Sequence, residues 1–148
     1  MHYELFMGAA LGEARAALEQ GERPRGAAAV LGDALVASGH EEVEARRDPT
    51  AHAVIVTLRE AAQRLGTGSL AGLTIFTTVE PCPMCVGAML AADADCLVYA
   101  LPDPVSGAAG SVVQLANNPA LPRRVDLISG ILRADVAELQ EAAVLRRA

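Results

Sequence analysis

The chain has 148 residues, of which 52% are hydrophobic and only 3% aromatic, and its eighteen acidic residues outnumber twelve arginines to give a net charge of −6. This length predicts a single domain, residues 1–148, with one substantial core. Because phosphate recognition usually needs clustered cations, the acidic balance argues against DNA and disfavours tRNA as a partner. No apolar run is long enough for a membrane span, which predicts a soluble, cytoplasmic protein.

The predicted elements begin with an amphipathic helix over residues 2–20, where apolar positions recur at helical spacing until a Gly and a Pro interrupt them. Short strands are predicted at 27–31 and 34–38, and the Gly-Asp pair between them favours a hairpin. The polar segment 40–48 is predicted to be a loop. A second helix is predicted to follow it, over residues 51–65.

The middle of the chain alternates between strand and helix. Residues 73–78 are rich in β-branched side chains and predict a strand. A helix is predicted at 81–92, and the next strand at 96–100.

The last third begins with a loop at 101–110 that is rich in Pro and Gly. A short helix is predicted at 112–116, a short fifth strand at 124–127, and a final helix at 133–147. Strands and helices that alternate in this order predict an α/β fold, with one mixed sheet and helices on both of its faces.

Three residues are candidate metal ligands: His52, Cys82 and Cys85. The two cysteines lie three residues apart at the start of a predicted helix, so they share one face and benefit from the free amides of the helix terminus, which favour thiolates. His52 stands at the start of another predicted helix. One His and two Cys predict a single Zn²⁺ with a water as its fourth ligand, which is the arrangement of a catalytic site.

Each of these residues also has a less specific interpretation. A C-x-x-C pair alone also suits a redox dithiol or half of a structural zinc site, and a lone histidine is often an ordinary capping or core residue. Cys96, the remaining cysteine, is interpreted as a small buried hydrophobe rather than a fourth ligand. The combination of His52 with the cysteine pair favours the metal site.

The segments around the candidate ligands read DPTAHA at 48–53 and EPCPMCVGAM at 80–89. With them, and with GAAGS at 107–111 and RVDL at 124–127, the chain resembles the cytidine deaminase-like superfamily, in the branch of bacterial tRNA adenosine deaminases, guanine deaminases and cytosine deaminases. The resemblance implies a three-layer α/β/α fold around a five-stranded mixed sheet. It also implies one zinc per subunit and a homodimer.

Val54 departs from the pattern of this superfamily, which is H-x-E followed by P-C-x-x-C. The Glu of that pattern takes the proton of the zinc-activated water, a contribution of about 10² to 10⁴-fold per proton transfer. The sequence therefore predicts a zinc-dependent hydrolytic deaminase of a guanine-, cytosine-, aminotriazine- or adenine-type base or nucleoside, impaired or inactive in this form.

Val54 has three interpretations: a natural pseudo-enzyme, a laboratory knockout, or an enzyme that recruits another acid. The first has a parallel, because the non-catalytic subunit of the eukaryotic tRNA adenosine deaminase resembles this chain in having Val at this place while keeping the zinc ligands. The alternative function is thus a non-catalytic zinc-binding subunit that partners an active deaminase, including a tRNA adenosine deaminase.

Glu41 is a candidate pocket residue, because the resemblance implies an Asn at its position that hydrogen-bonds the base. An ionised Glu only accepts hydrogen bonds, so it either reads a donor-rich ring edge or supplies the missing carboxyl group. The alternative is an exposed loop residue beside Glu42 and Glu44. Glu80 is a weaker substitute, since the resemblance implies a structural role for it, and the backbone at Pro81 is expected near the reacting carbon.

Overall fold

Five strands form one mixed sheet in the order β2-β1-β3-β4-β5. In this computed structural model, which describes residues 1–147 and the side chains of residues 1–146, β1 runs antiparallel to both β2 and β3, while β3, β4 and β5 are parallel. The strands are β1 (Gly26–Leu31), β2 (Ala34–His40), β3 (Leu73–Val79), β4 (Cys96–Leu101) and β5 (Asp126–Ser129). The helices are α1 (Tyr3–Glu19), α2 (Val43–Arg46), α3 (Ala53–Leu65), α4 (Pro83–Ala91) and α5 (Arg133–Arg147).

Both faces of the sheet are covered, which makes β3 buried along its whole length. On one face Phe76 packs with its ring centroid 5.6 Å from that of Phe6 in α1 and 6.2 Å from that of Tyr3, and α5 contributes Val136 to the same cluster. On the other face Ile75 lies in a cluster formed with α3 and α4. The predicted α/β class, the five-stranded mixed sheet and the helices on both faces are confirmed.

Glycines permit the close contact of the helices with the first hairpin. A Cβ atom on Gly26 would lie 2.0 Å from the backbone oxygen of Ala10 in α1, and one on Gly39 would lie 2.9 Å from Oγ1 of Thr57 in α3. Real Cβ atoms never come so near backbone atoms, so only Gly26 lets α1 lie directly on β1. Gly39 likewise lets the end of β2 lie close to the first turns of α3.

The prediction of a helix at residues 112–116 is wrong. This segment forms turns, and Ala109 makes an isolated antiparallel bridge with Gln114. The amides of Val112 and Val113 donate to the carbonyl of Gly107, because Gly107 is fixed in a loop tied to the rest of the protein. A helical hydrogen-bond pattern is therefore replaced by contacts to residues earlier in the loop.

Two other boundaries differ from the prediction. Residues 40–48 are not only a loop, since α2 forms there when the buried carboxylate of Glu22 accepts the backbone N–H groups of Glu44 and Ala45. The last strand begins at Asp126 rather than at residue 124, in register with Cys96 of β4. Within residues 1–147 no helix combines the length and the apolar character that a bilayer span needs.

Candidate metal centre and pocket

His52, Cys82 and Cys85 meet at one edge of the sheet, where α3 and α4 begin. His52 is the residue just before α3, and Cys82 is the residue just before α4, both with extended backbone. Cys85 lies in the first turn of α4 and is buried. One ligand atom of each residue lies within 4.8 Å of the other two. The fold thus brings together the three residues that the sequence predicts as metal ligands.

The separations between these donors fit zinc. Tetrahedral zinc has bonds of about 2.3 Å to sulfur and about 2.0–2.1 Å to nitrogen. A sulfur and a nitrogen bound to the same zinc therefore lie roughly 3.5–3.6 Å apart. Nδ1 of His52 lies 3.5 Å from Sγ of Cys82 and 3.5 Å from Sγ of Cys85. One imidazole and two sulfurs also form a soft to borderline donor set, which suits zinc better than it suits calcium or magnesium.

A hydrogen bond between the thiols of Cys82 and Cys85 shifts their pKa values in opposite directions. The hydrogen bond that Cys85 donates lowers the pKa of Cys82 to about 5, against the opposing effect of burial. The same bond, together with burial, raises the pKa of Cys85. One thiolate is therefore ready to bind a metal, and binding would release the proton that remains on Cys85.

A cavity with a free volume of about 60 Å³ opens beside these donors. Val54 lines it and is 4% exposed, so an isopropyl group forms the part of the wall next to His52. Pro81 lines it as well, and its carbonyl accepts a hydrogen bond from the amide of Ala108. The pocket wall at Val54 and Pro81 is apolar, and it offers no acid or base.

Glu41 lines the same cavity and is 3% exposed, so its interpretation as an exposed loop residue is wrong. Both of its carboxylate oxygens accept hydrogen bonds from Arg23, at 2.7 Å from Nε and 2.6 Å from Nη2. This bond raises the pKa of the Arg23 guanidinium, while its partial burial opposes that change. Glu41 is therefore placed in the pocket with its charge already neutralised.

Arg25 and Thr77 also line the cavity, and sequence reasoning did not single them out. The guanidinium of Arg25 makes one hydrogen bond, from Nη1 to Oδ2 of Asp103 at 3.4 Å, and burial lowers its pKa. Thr77 is buried, and its hydroxyl has no hydrogen-bond partner among residues 1–146. The sequence signal for Arg25 is that two arginines, at 23 and 25, stand directly before an apolar strand. A charged side chain next to a buried strand needs a partner or a function.

Glu80 does not reach into the cavity as a substitute acid. It is fully buried and accepts hydrogen bonds from the amides of Asp103, Ala109 and Ser111, as well as from the hydroxyl of Ser111. A Cβ atom on Gly107 would lie 2.4 Å from its carboxyl carbon, so the loop closes tightly around it. Glu80 thus anchors the loop that follows β4.

The chain is similar in sequence to a known protein family. The model of the cytidine and deoxycytidylate deaminase zinc-binding region matches residues 1–101. The chain belongs to this deaminase family. Its match contains all three metal donors of the candidate centre and the strands that position them.

Relatives within the deaminase family differ in substrate. The chain is 34% identical to the tRNA-specific adenosine deaminase of Bacillus subtilis (strain 168) over 139 residues, which cover 94% of this chain and 86% of that protein. A solved structure from a study of A-to-I editing by tRNA:A34 deaminases superposes with a TM-score of 0.88 at 37% identity, covering 91% of this chain and 98% of that chain. The guanine deaminase from Nitrosomonas europaea has a TM-score of 0.78 and 26% identity, covering 95% and 83%.

Proposed function

We propose that the chain is a zinc-dependent hydrolytic deaminase of a nucleobase or nucleoside whose turnover is impaired or absent in this form. His52, Cys82 and Cys85 would hold one zinc, with a water as the fourth ligand. The observation that carries the proposal is the position of Val54, which is buried in the cavity wall beside the three donors and has no titratable group.

The chemistry depends on proton transfer at this wall. When bound, zinc supplies a Lewis acid that activates water for attack on the ring carbon. A carboxylate is then needed to take a proton and to deliver it to the leaving amine. Val54 can do neither, and the two substitutes considered from the sequence are engaged elsewhere, Glu41 with Arg23 and Glu80 with its loop.

The test compares ammonia release by three zinc-loaded proteins: the parent, V54E and V54Q. Substrates are guanine, cytosine, adenine, an aminotriazine, their nucleosides and a tRNA anticodon stem-loop. We expect release by V54E alone, about 10² to 10⁴-fold above the parent, because Gln matches Glu in size but moves no proton. Release by the parent at the rate of V54E would contradict the proposal.

A second candidate function follows from the same observation. A complete donor set without a proton shuttle also suits a non-catalytic subunit that shapes an active deaminase, and the similarity to tRNA adenosine deaminases favours a partner that acts on tRNA. Its test is co-purification with a paralogue that has an intact H-A-E motif. Stimulation of that paralogue on an anticodon stem-loop would support this function, whereas a rate of the paralogue that this chain leaves unchanged would reject it.

We also propose a homodimer, which an apolar groove between α3 and α4 supports. The groove has a volume of about 390 Å³. Its apolar residues include Ile55, Leu58, Ala62, Leu70 and Ala91. Sedimentation of the parent and of A91R tests this proposal, since a dimer that uses the groove would dissociate when a charge is placed in it.

The three cysteines form no disulfide, which is consistent with the proposed cytoplasmic location.

A further inference from the structure

Among the described residues, two side chains on the wall of the metal-centre cavity have hydrogen-bond donors without a close acceptor. Thr77 is 2% exposed and its hydroxyl has no partner among the described residues. Arg25 makes a single side-chain hydrogen bond there, at 3.4 Å. Buried polar groups without partners are rare in native proteins, because each costs free energy. Such groups mark a place where something else supplies the acceptor.

Asp103 is only a distant acceptor for Arg25, and its carboxylate also accepts three hydrogen bonds within its own loop. It accepts hydrogen bonds from the amide of Val105 at 2.9 Å and from the amide and hydroxyl of Ser106 at 3.3 and 2.9 Å. The contact with Arg25 is the longest of the four. Because a guanidinium has five N–H groups and Arg25 makes this one side-chain hydrogen bond among the described residues, it has donors left for a ligand in the cavity.

Thr77 lies in β3, and Arg25 is the residue just before the neighbouring strand β1. Ala27 of β1 is the register partner of Thr77, and Arg25 precedes Ala27 by two residues. Both side chains line the same cavity. Ile75, two residues before Thr77, packs with Val54 in the layer of α3 and α4. The hydroxyl of Thr77 therefore faces the side of the sheet on which the cavity lies.

The charges on the wall favour an anion. The cavity is lined by one acidic side chain, Glu41, and by two arginines, and both oxygens of Glu41 already accept from Arg23. With the thiolate of Cys82 assigned to the metal, the groups of the wall that keep a donor for a ligand are Arg25, which is cationic, and Thr77.

We propose that the cavity beside the metal donors binds an oxyanion of the ligand, with Arg25 as its cationic donor and Thr77 as a second donor. The inference rests on the proposed function only in taking this pocket as the ligand site, and it does not require turnover. A planar guanidinium pairs with a carboxylate or a phosphate through parallel hydrogen bonds. The free volume of about 60 Å³ beside the metal donors leaves room for such a group.

The test is isothermal titration calorimetry of zinc-loaded protein with cytosine, 5-carboxycytosine, cytidine 5′-monophosphate and inorganic phosphate. We expect at least one anionic probe to bind about ten-fold or more tightly than cytosine. R25M should weaken that probe by about 10- to 100-fold, and T77V by about three- to ten-fold, because a charged hydrogen bond contributes more than a neutral one.

Thr57 provides a matched control. It is also fully buried with an unpartnered hydroxyl, but it lies in α3 and does not line the cavity. T57V should therefore leave the affinity for every probe unchanged. R25K keeps the charge without the planar fork, so an intermediate affinity is expected, and it replaces R25M if that variant does not fold.

The outcomes separate the sources of the oxyanion. If 5-carboxycytosine is preferred and the preference depends on Arg25, the oxyanion is a carboxylate on the ring. If the nucleotide and inorganic phosphate bind in an Arg25-dependent way, the oxyanion is a phosphate group. The inference is overturned if no anionic probe binds more tightly than cytosine, or if R25M and R25K keep the preference. Because no turnover is measured, an inactive V54E would reject the proposed deamination and leave this binding result standing.

Discussion

Arg23 donates two hydrogen bonds to Glu41, at 2.7 and 2.6 Å, and so joins the segment before β1 to the end of β2. The carboxylate is 3% exposed, while the guanidinium is 41% exposed. Both residues line the metal-centre cavity and also an outer cleft of about 410 Å³, which shares His52 with it. The ion pair therefore forms the wall between the two spaces.

We expect R23M to destabilise the protein by about 1–3 kcal/mol, because it leaves a buried carboxylate without its partner. Because Arg23 is partly exposed, the expected loss of stability is smaller than the usual cost of breaking a fully buried pair. A double-mutant cycle with E41Q and R23M/E41Q, measured by urea unfolding, should give a coupling energy of about 1 kcal/mol or more. Additive effects of the two substitutions would show that the pair is not coupled.

Purified protein is expected to contain one zinc per chain. H52A, C82A and C85A should each lose it, since two ligands do not hold zinc tightly. C96A is the matched control, because Cys96 lies in β4 and takes no part in the donor cluster. Metal analysis after gel filtration measures the content, and zinc loss in C96A would point to a different ligand set.

E80Q should destabilise the protein by about 2–4 kcal/mol. Glu80 accepts hydrogen bonds from Asp103, Ala109 and Ser111, and the amide nitrogen of Gln would face donors rather than acceptors. E138Q, at an exposed position of α5, is the control and should stay within about 0.5 kcal/mol of the parent. Equal unfolding free energies for the two variants would mean that Glu80 does not anchor the loop.

Asp103 should make stability depend on pH in the acid range. Burial raises the pKa of this carboxyl, but hydrogen bonds from Val105 and Ser106 and the charge of Arg25 outweigh it, so its pKa lies below the ordinary value of 3.8. A lowered pKa in the folded state gives stability that is present above the unfolded pKa and is lost as the pH falls through the folded value. Urea unfolding between pH 5 and pH 3 should therefore show a steeper loss in the parent than in D103N, and parallel curves would refute this.

The metal donors were predictable because the signal is local. Cys82 and Cys85 are separated by less than one helical turn, and the helix start that orients them is visible in the sequence. Periodicity likewise predicted the sheet and its covering helices. It failed at residues 112–116, where the hydrogen bonds to Gly107 and the anchoring of the loop by Glu80 decide the conformation. One such contact of Glu80 joins residues 29 positions apart in the chain, so no local pattern shows it.

The sequence by itself determined which donors are available to a metal and that position 54 has no titratable group. Only the tertiary structure decided what the remaining charges do. Arg23 and Glu41 are 18 residues apart, and Arg25 and Asp103 are 78 apart. No local pattern links such residues, because side chains at that separation meet only when the sheet brings the ends of β1, β2 and β4 together. The same packing gives Glu41 a cationic partner and leaves Arg25 and Thr77 facing the cavity.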